Sequence, residues 1–234
     1  MGNSSIRKSS IGRKVLMALS GFFLLLFLLQ HCTINMMSVN CDDGEMFNTV
    51  SHFMGTNPVI QYIMQPILAI GVIFHLLMGM ALEYKNNKAR PQKYAYNKPG
   101  TNSPWISRNM IISGIMIMLF LGLHFYDFWF PELKVKFIDG DMTGLNAAGE
   151  MRYFEELQHK FVNPIRVGLY VLSFIFLALH LLHGFQSSFK SVGFNHKKYT
   201  PLIKKLGIAY AILIPAGFIF IAIYHHIVAA HLIH

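Results

Sequence analysis

Four histidines of this 234-residue chain stand at matching positions in long apolar stretches, where an imidazole needs a chemical partner. They are His31, His75, His124 and His180. An imidazole nitrogen can coordinate a metal or a haem iron, pass a proton, or hydrogen-bond to a neighbouring helix. The elements that carry these histidines decide which of these uses is open to them.

An internal repeat relates the four histidines two by two. The dipeptide Ser-Gly precedes both His31 and His124, with nine residues between in each case. His75 and His180 are each followed by Leu-Leu and, four residues on, by glycine. The repeat predicts that the first two apolar stretches correspond to the third and fourth, and that a fifth was added.

The composition indicates that the apolar stretches cross a membrane. Only 13% of the residues are charged and 53% are hydrophobic, against roughly 25% charged in soluble domains. Five stretches without Asp, Glu, Lys or Arg can each hold the ~20 apolar residues that span a bilayer. They are Val15–Cys41, Met46–Leu82, Asn109–Tyr126, Val167–Phe189 and Leu206–His234.

The predicted fold is therefore an all-α, polytopic membrane protein, one membrane domain over residues 1–234. Its five transmembrane helices form a bundle and are predicted at about 15–37, 58–82, 108–130, 164–189 and 206–230. Pro131 is expected to end the third. This composition excludes a soluble enzyme, a disulfide-rich secreted domain and a disordered chain.

The distribution of charge predicts the orientation of these helices. The N-terminus and the connections 83–108 and 190–205 hold 15 Lys or Arg and one acid. The segments on the opposite side hold five Lys or Arg and ten Asp or Glu. Cytoplasmic loops of membrane proteins carry the excess of basic residues. The N-terminus is therefore predicted inside and the C-terminus outside, and the net charge of +9 reports topology, not a nucleic-acid partner.

This orientation places the histidines at two depths. His31 and His124 lie toward the outer ends of outward-running helices, whereas His75 and His180 lie toward the inner ends of inward-running helices. The helical rise predicts a separation on the order of 15–20 Å between the two levels. His31 with His124 is named the outer pair below, and His75 with His180 the inner pair.

Paired intramembrane histidines favour two six-coordinate haems, each held by one imidazole on either face. Haem b is predicted because the chain has no Cys-x-x-Cys-His segment. Zinc is disfavoured because it needs three or four ligands at one place. A single intramembrane histidine more often bonds to a neighbouring helix, but four in level-matched pairs favour haem. His183, one turn beyond His180, is expected near a haem propionate.

The combined pattern resembles the five-helix, di-haem cytochrome b anchor of succinate dehydrogenases and fumarate reductases, of the single-anchor type found in Bacteroidetes-like bacteria. The resemblance covers nearly the whole chain. It rests on one histidine in each of the first four spans, the basic loop after the second, and the segment 180–189, His-Leu-Leu-His-Gly-Phe-Gln-Ser-Ser-Phe.

The resemblance implies partners and a cellular location. A flavoprotein with covalent FAD and an iron–sulfur subunit would sit on the cytoplasmic face of the bacterial inner membrane. Electrons would pass between succinate or fumarate, the iron–sulfur clusters, two haems b and a quinone, with menaquinone expected. The inner pair would ligate the proximal haem and the outer pair the distal haem, and this chain would not touch succinate.

Further residues are candidates for contacts with the haems or the quinone. Arg166 is predicted to meet an outer propionate, and the inner candidates are Arg108, Lys190 and the other basic residues Arg13, Lys14 and Lys85. The quinone candidates are Asp127, His225 and His226 outside, with His52 approaching from its loop, and Gln186 with His183 inside. Interfacial snorkelling of the basic groups and simple helix capping are the alternatives.

Two other functions fit part of the pattern. The chain can instead be the haem b subunit of another membrane dehydrogenase, such as a hydrogenase or formate dehydrogenase, or a cytochrome b561-like reductase. A proton-coupled transporter without haem is the third possibility. It leaves unexplained why no span has an Asp, Glu, Lys or Arg in its middle.

Overall fold

Five long apolar helices dominate the structure, which is a computed structural model that describes residues 9–39, 42–88 and 110–232. Each of the five is long and apolar enough to cross a membrane. They cover Ser10–Val39, Ile60–Asn86, Met110–Ile138, Pro164–Ser191 and Thr200–Ala229. The prediction of an all-α, multi-pass membrane protein is confirmed at this level.

Seven helices are labelled here in chain order. They are α1 (Ser10–Met36), α2 (Glu45–Thr56), α3 (Gln65–Lys88), α4 (Met110–His124), α5 (Tyr153–Phe161), α6 (Pro164–Ser191) and α7 (Thr200–Leu232). A wide turn over Ile60–Met64 leads into α3 without a break, and residues 125–138 continue α4 as the α4 extension. The short helices α2 and α5 lie at the end of the bundle that is predicted to face outward.

An Asn-Pro pair opens both the second and the fourth span. The side-chain oxygens of Asn57 and Asn163 each accept hydrogen bonds from two of the first amides of their helices, over 2.9–3.3 Å. Pro58 and Pro164 follow, at the position where proline's missing N–H costs nothing. The same local chemistry therefore starts both helices that carry the inner histidines.

The wide turn ahead of α3 compensates for a difference in spacing between the two halves. His75 follows Pro58 by 17 residues, whereas His180 follows Pro164 by 16. Residues Ile60–Met64 form a π-helical turn, which accommodates one residue more than an α-helical turn. The π-helical turn accommodates the extra residue, so His75 lies at the same height in its helix as His180 in its own.

The four histidine-bearing helices form a ring in which each histidine pair comes from opposite members. Helix α1 packs against α3 and α6, while α4 packs against α6 and, along a shorter contact, against α3. Helix α7 packs outside this ring, on α6 and α1. Two imidazoles on opposite helices can therefore meet across the ring only when they lie at the same depth along the bundle.

The third span does not end at Pro131 as predicted. The helix runs on to Ile138, because the chain widens over Phe125–Trp129 and the Phe130 amide donates to Phe125, five residues back. The wider turn relieves the clash that a proline ring makes with the preceding carbonyls, so the helix continues. The first and fifth spans also begin earlier than predicted, at Ser10 and Thr200.

An ionic cluster ties the α4 extension to the two short helices. Glu132 pairs with the buried ammonium of Lys136 at 2.5 Å and with the buried guanidinium of Arg152. Arg152 also pairs with Glu156 of α5 at 2.5 Å, and Lys136 donates to the carbonyl of Gly55 in α2. Each buried cation therefore has a carboxylate partner, as burial of charge requires.

The cluster also raises the pKa of Arg152 and of Tyr153. Burial lowers the pKa of Arg152, but hydrogen bonds to Glu156 and Glu132 outweigh this and raise it. Burial, and then the negative charge of Glu132, raise the pKa of Tyr153 to about 12. Both side chains therefore stay protonated, and remain hydrogen-bond donors, throughout the physiological pH range.

Glu132→Gln is expected to destabilise the protein, because Lys136 and Arg152 then lose a shared countercharge. Breaking a fully buried ion pair costs about 3–5 kcal/mol, and one-fifth exposure of Glu132 reduces the expected loss to about 2–3 kcal/mol. Chemical unfolding in detergent micelles measures it. Asp139→Asn, which removes an exposed pair with Lys134, is the control, and equal effects of the two variants would contradict the role of the cluster.

Candidate functional site

The outer pair lies between α1 and α4. The ring centres of His31 and His124 are 5.8 Å apart and their planes meet at 80°. Phe27 stacks on His31 at 5.3 Å, and Phe120 stacks on His124 at 5.7 Å, each from one turn earlier in the same helix. Both rings are thus held by the same local contact.

The inner pair lies between the other two opposite helices, α3 and α6. The ring centres of His75 and His180 are 6.4 Å apart and their planes meet at 65°. The structure therefore brings together both pairs that the sequence predicted, each across the ring of four helices.

The spacing within each pair fits two ligands on one iron. A metal–imidazole bond is about 2.0–2.1 Å long, and with a ring radius of about 1.1 Å it puts the centres of two axial imidazoles roughly 6 Å apart. The observed 5.8 and 6.4 Å lie on either side of that value. Two imidazoles per level also match the two axial positions that a porphyrin leaves open.

Two serines bind the imidazoles of the inner pair. Ser20 Oγ lies 2.9 Å from Nδ1 of His75, and Ser113 Oγ lies 3.2 Å from Nδ1 of His180. Each hydroxyl also lies 2.8–2.9 Å from the carbonyl oxygen three residues earlier in its own helix. These serines belong to the Ser-Gly dipeptides of the sequence repeat.

The proton count of these bonds selects a tautomer for each inner histidine. A carbonyl oxygen only accepts, so the single hydroxyl proton of Ser20 or Ser113 is used toward the helix backbone. With the hydroxyl proton placed there, the serine oxygen is the acceptor for an N–H at Nδ1 of His75 and of His180. A neutral imidazole carries one N–H, so Nε2 keeps its lone pair and is available to a metal.

Within the described part of the chain, no serine binds the outer pair in this way. Nδ1 of His31 lies 3.4 Å from the side-chain nitrogen of Asn35, which donates over 2.8 Å to the His31 carbonyl. Nδ1 of His124 is buried without a hydrogen-bond partner among the described residues. An unpaired buried nitrogen is costly and marks a place where a ligand or a rearranged ring would complete the site.

The repeat in the sequence is matched by a repeat of contacts around the inner pair. A Cβ at Gly21 would lie 3.8 Å from Cε1 of His75, and a Cβ at Gly114 would lie 3.9 Å from Cε1 of His180. The later glycines repeat as well: a Cβ at Gly79 would meet Met17, and one at Gly184 would meet Met110, both at 3.6 Å. The two halves therefore pack the inner histidines in the same way.

The positions of Ser20 and Ser113 also give the separation between the inner and outer levels. Ser20 marks the inner level on α1 and stands 11 residues before His31, and Ser113 stands 11 residues before His124 on α4. At ~1.5 Å per residue, the inner and outer levels are about 16 Å apart along both helices. This agrees with the separation expected from the sequence.

Asp127 and the half-buried Arg166 form one unit with Tyr170 beside the outer pair. Asp127 is fully buried, and its Oδ2 accepts from the Tyr170 hydroxyl at 2.9 Å and lies 3.3 Å from Nε of Arg166. Its Oδ1 has no hydrogen-bond partner among the described residues. The sequence suggested separate roles for Asp127 and Arg166 and missed Tyr170, whose spacing of four from Arg166 on one helix face was the available signal.

The two histidines near the end of α7 bind different neighbours. His225 is fully buried with Nε2 2.8 Å from Ser38 Oγ, and that hydroxyl donates at 2.6 Å to the carbonyl of Asn35. His226 Nδ1 lies 2.9 Å from the carbonyl of Phe161 in α5. Both histidines therefore link α7 to the outer end of the bundle, and their roles at a quinone site stay predictions.

The remaining candidates lie toward the inner end of the bundle. His183 and Gln186 of α6 are half-buried, whereas Lys190 is exposed. Arg108 lies outside the described residues. Their roles at the inner haem or at a quinone stay predictions.

Comparison with protein-family models, curated proteins and solved structures gives no match to this chain. The geometry of the histidine pairs therefore carries the functional argument.

Tyr170→Phe is expected to destabilise the protein by about 1.5–3 kcal/mol, the usual loss when a hydrogen bond to a buried charge is removed. Chemical unfolding in detergent micelles measures the change. Tyr126→Phe is the matched control, because the Tyr126 side chain is 67% exposed and its hydroxyl has no hydrogen bond to any described residue. If Tyr170→Phe were as stable as this control, the hydrogen bond to Asp127 would not hold the unit together.

Proposed function

We propose that this chain is the cytochrome b membrane-anchor subunit of a succinate:quinone oxidoreductase or quinol:fumarate reductase. It passes electrons through two haems b between an iron–sulfur subunit and membrane quinone. The observation that supports this most is the pair of opposed imidazoles at each of two levels, with ring centres 5.8 and 6.4 Å apart.

The residues present fit the haem groups. Each level supplies one imidazole from each of two opposite helices, and on the inner level a serine hydroxyl lies within hydrogen-bond distance of each Nδ1, so that Nε2 is the nitrogen available to a metal. When bound, a haem supplies an iron that carries one electron by changing between its ferric and ferrous states. The two imidazoles at each level would hold the iron from both sides, which suits electron transfer rather than substrate binding at the metal.

The two levels fit transfer across the membrane. Helices α1 and α4 each reach both levels, about 16 Å apart by the helical rise, so they fix the spacing of the two groups. Apolar side chains surround the outer pair, including Phe27 and Phe120. They keep water from the ring nitrogens of His31 and His124 and so favour neutral imidazoles as ligands.

The partners are proposed from the charge pattern and the family resemblance. The basic inner side offers a docking face for the iron–sulfur subunit, which in turn carries the flavoprotein with FAD and the succinate site. Menaquinone is the proposed quinone, and the bacterial inner membrane is the proposed location. Asp127, His225 and His226 stay candidates for an outer quinone site, and Gln186 for an inner one.

Each histidine pair is expected to hold one haem b. His31→Ala or His124→Ala should remove the outer haem, and His75→Ala or His180→Ala the inner haem, since each variant loses one axial ligand. Reduced-minus-oxidised spectra with pyridine haemochrome assays measure this as a fall from two haems b per chain to one. His196→Ala, in the exposed turn before α7, is the control and should keep both.

Two results would contradict this assignment. A purified chain without a Soret band would favour the transporter interpretation, in which the histidines relay protons. Loss of a haem in His183→Ala but not in His180→Ala would show that His183, and not His180, is the ligand on α6.

The tagged chain is expected to bring its partners out of native membranes. A flavoprotein that stays fluorescent on a denaturing gel, because its FAD is covalent, and an iron–sulfur protein should co-purify with it. Removal of the tag gives the control. Co-purification of a hydrogenase or formate dehydrogenase subunit instead would assign the haems to a different enzyme.

A further inference from the structure

We infer that Ser20 and Ser113 are positioning residues that hold His75 and His180 as Nδ1–H tautomers and make them stronger iron ligands than the outer histidines. This inference rests on the proposed function, because it concerns how the inner haem is held. Neither serine is expected to touch the iron or the quinone.

The geometry gives each serine a defined direction of hydrogen bonding. The hydroxyls of Ser20 and Ser113 are buried, with residue exposures of 9% and 5%, so water does not compete for their bonds. Each donates its proton to a backbone carbonyl of its own helix and lies 2.9–3.2 Å from Nδ1 of an imidazole of the neighbouring helix, where it is inferred to accept from Nδ1–H. A hydroxyl has one proton, so both contacts are hydrogen bonds only when the serine donates to the carbonyl and accepts from Nδ1–H. The reversed bond would leave the contact between the serine and the carbonyl without a proton.

At the inner level the same device occurs twice at Nδ1, on helices that serve both levels, whereas the similar contact of Ser38 with His225 uses Nε2. Ser20 lies on α1, which carries His31 of the outer pair, and it binds His75 of α3. Ser113 lies on α4, which carries His124, and binds His180 of α6. Each helix with an outer ligand therefore also orients one inner ligand, which fixes the two levels relative to each other.

The outer pair differs in what its Nδ1 atoms meet. The neighbour of His31 Nδ1 is the Asn35 amide nitrogen, a donor, and His124 Nδ1 has no partner among the described residues. A hydrogen bond from Nδ1–H to an acceptor raises the basicity of the ligating nitrogen. The serines should therefore stabilise the ferric inner haem and lower its midpoint potential.

The test is potentiometric titration of the full chain, purified with its haems, in Ser20→Ala, Ser113→Ala and the double variant. The inner haem, identified as the component missing from His75→Ala, should shift to a higher midpoint potential, furthest in the double variant. The outer haem should stay unchanged. Ser20→Thr and Ser113→Thr keep a hydroxyl that can bond to the same carbonyl and should restore the original potential.

Ser173→Ala is the matched control. Ser173 is 8% exposed and donates over 2.7 Å to a carbonyl of its own helix, but no histidine bond to it is seen among the described residues. It should leave both potentials unchanged. An unchanged inner potential in the double Ser20/Ser113 variant, or an equal shift of both haems, would overturn the inference.

A second measurement separates this inference from the proposed function. If the purified chain holds no haem, the proposed function fails, and histidine-selective ¹⁵N NMR of the same full chain then reads the tautomers directly. Nδ1–H signals for His75 and His180 that are lost in the alanine variants would support the serine bonds. Nε2–H signals in the unsubstituted chain would overturn them.

Discussion

A buried imidazole needs partners for both of its nitrogens, and this constraint organises the bundle. In an apolar interior an unpaired nitrogen is costly, so each inner histidine is bonded at Nδ1 by a serine and keeps Nε2 for a second partner. In the proposed function, that partner is an iron shared with the histidine at the same level on the opposite helix. The pairing of opposite helices, the Ser-Gly dipeptides and the two levels all serve this requirement.

At the outer end of the bundle, buried polar groups find their partners in ion pairs. Beside the outer pair, Asp127 accepts a hydrogen bond from Tyr170 and forms an ion pair with Arg166. Farther out, Glu132 forms ion pairs with Lys136 and Arg152. Each buried cation is matched by a carboxylate, so the α4 extension can continue to Ile138 with charged groups on it. Helices α2 and α5 are thereby fastened over the end where His225 and His226 bind their neighbours.

The helices and the histidine pairs could be predicted because they depend on strong patterns, namely charge-free stretches and one histidine per span at matching depth. The roles of Ser20 and Ser113 could not, although the repeat contained both, because a serine within an apolar helix usually bonds only to its own backbone. The pairing of Asp127 with Arg166 joins two spans and depends on helix rotation. The continuation beyond Pro131 depends on a π-helical turn, which has no simple sequence signal.

The haem content of the purified full chain tests the central claim most directly. The account predicts two haems b per chain by pyridine haemochrome, with two components in a potentiometric titration. A chain that folds as a five-helix protein but binds no haem when haem is supplied during expression would contradict it, and the histidine pairs would then need another partner.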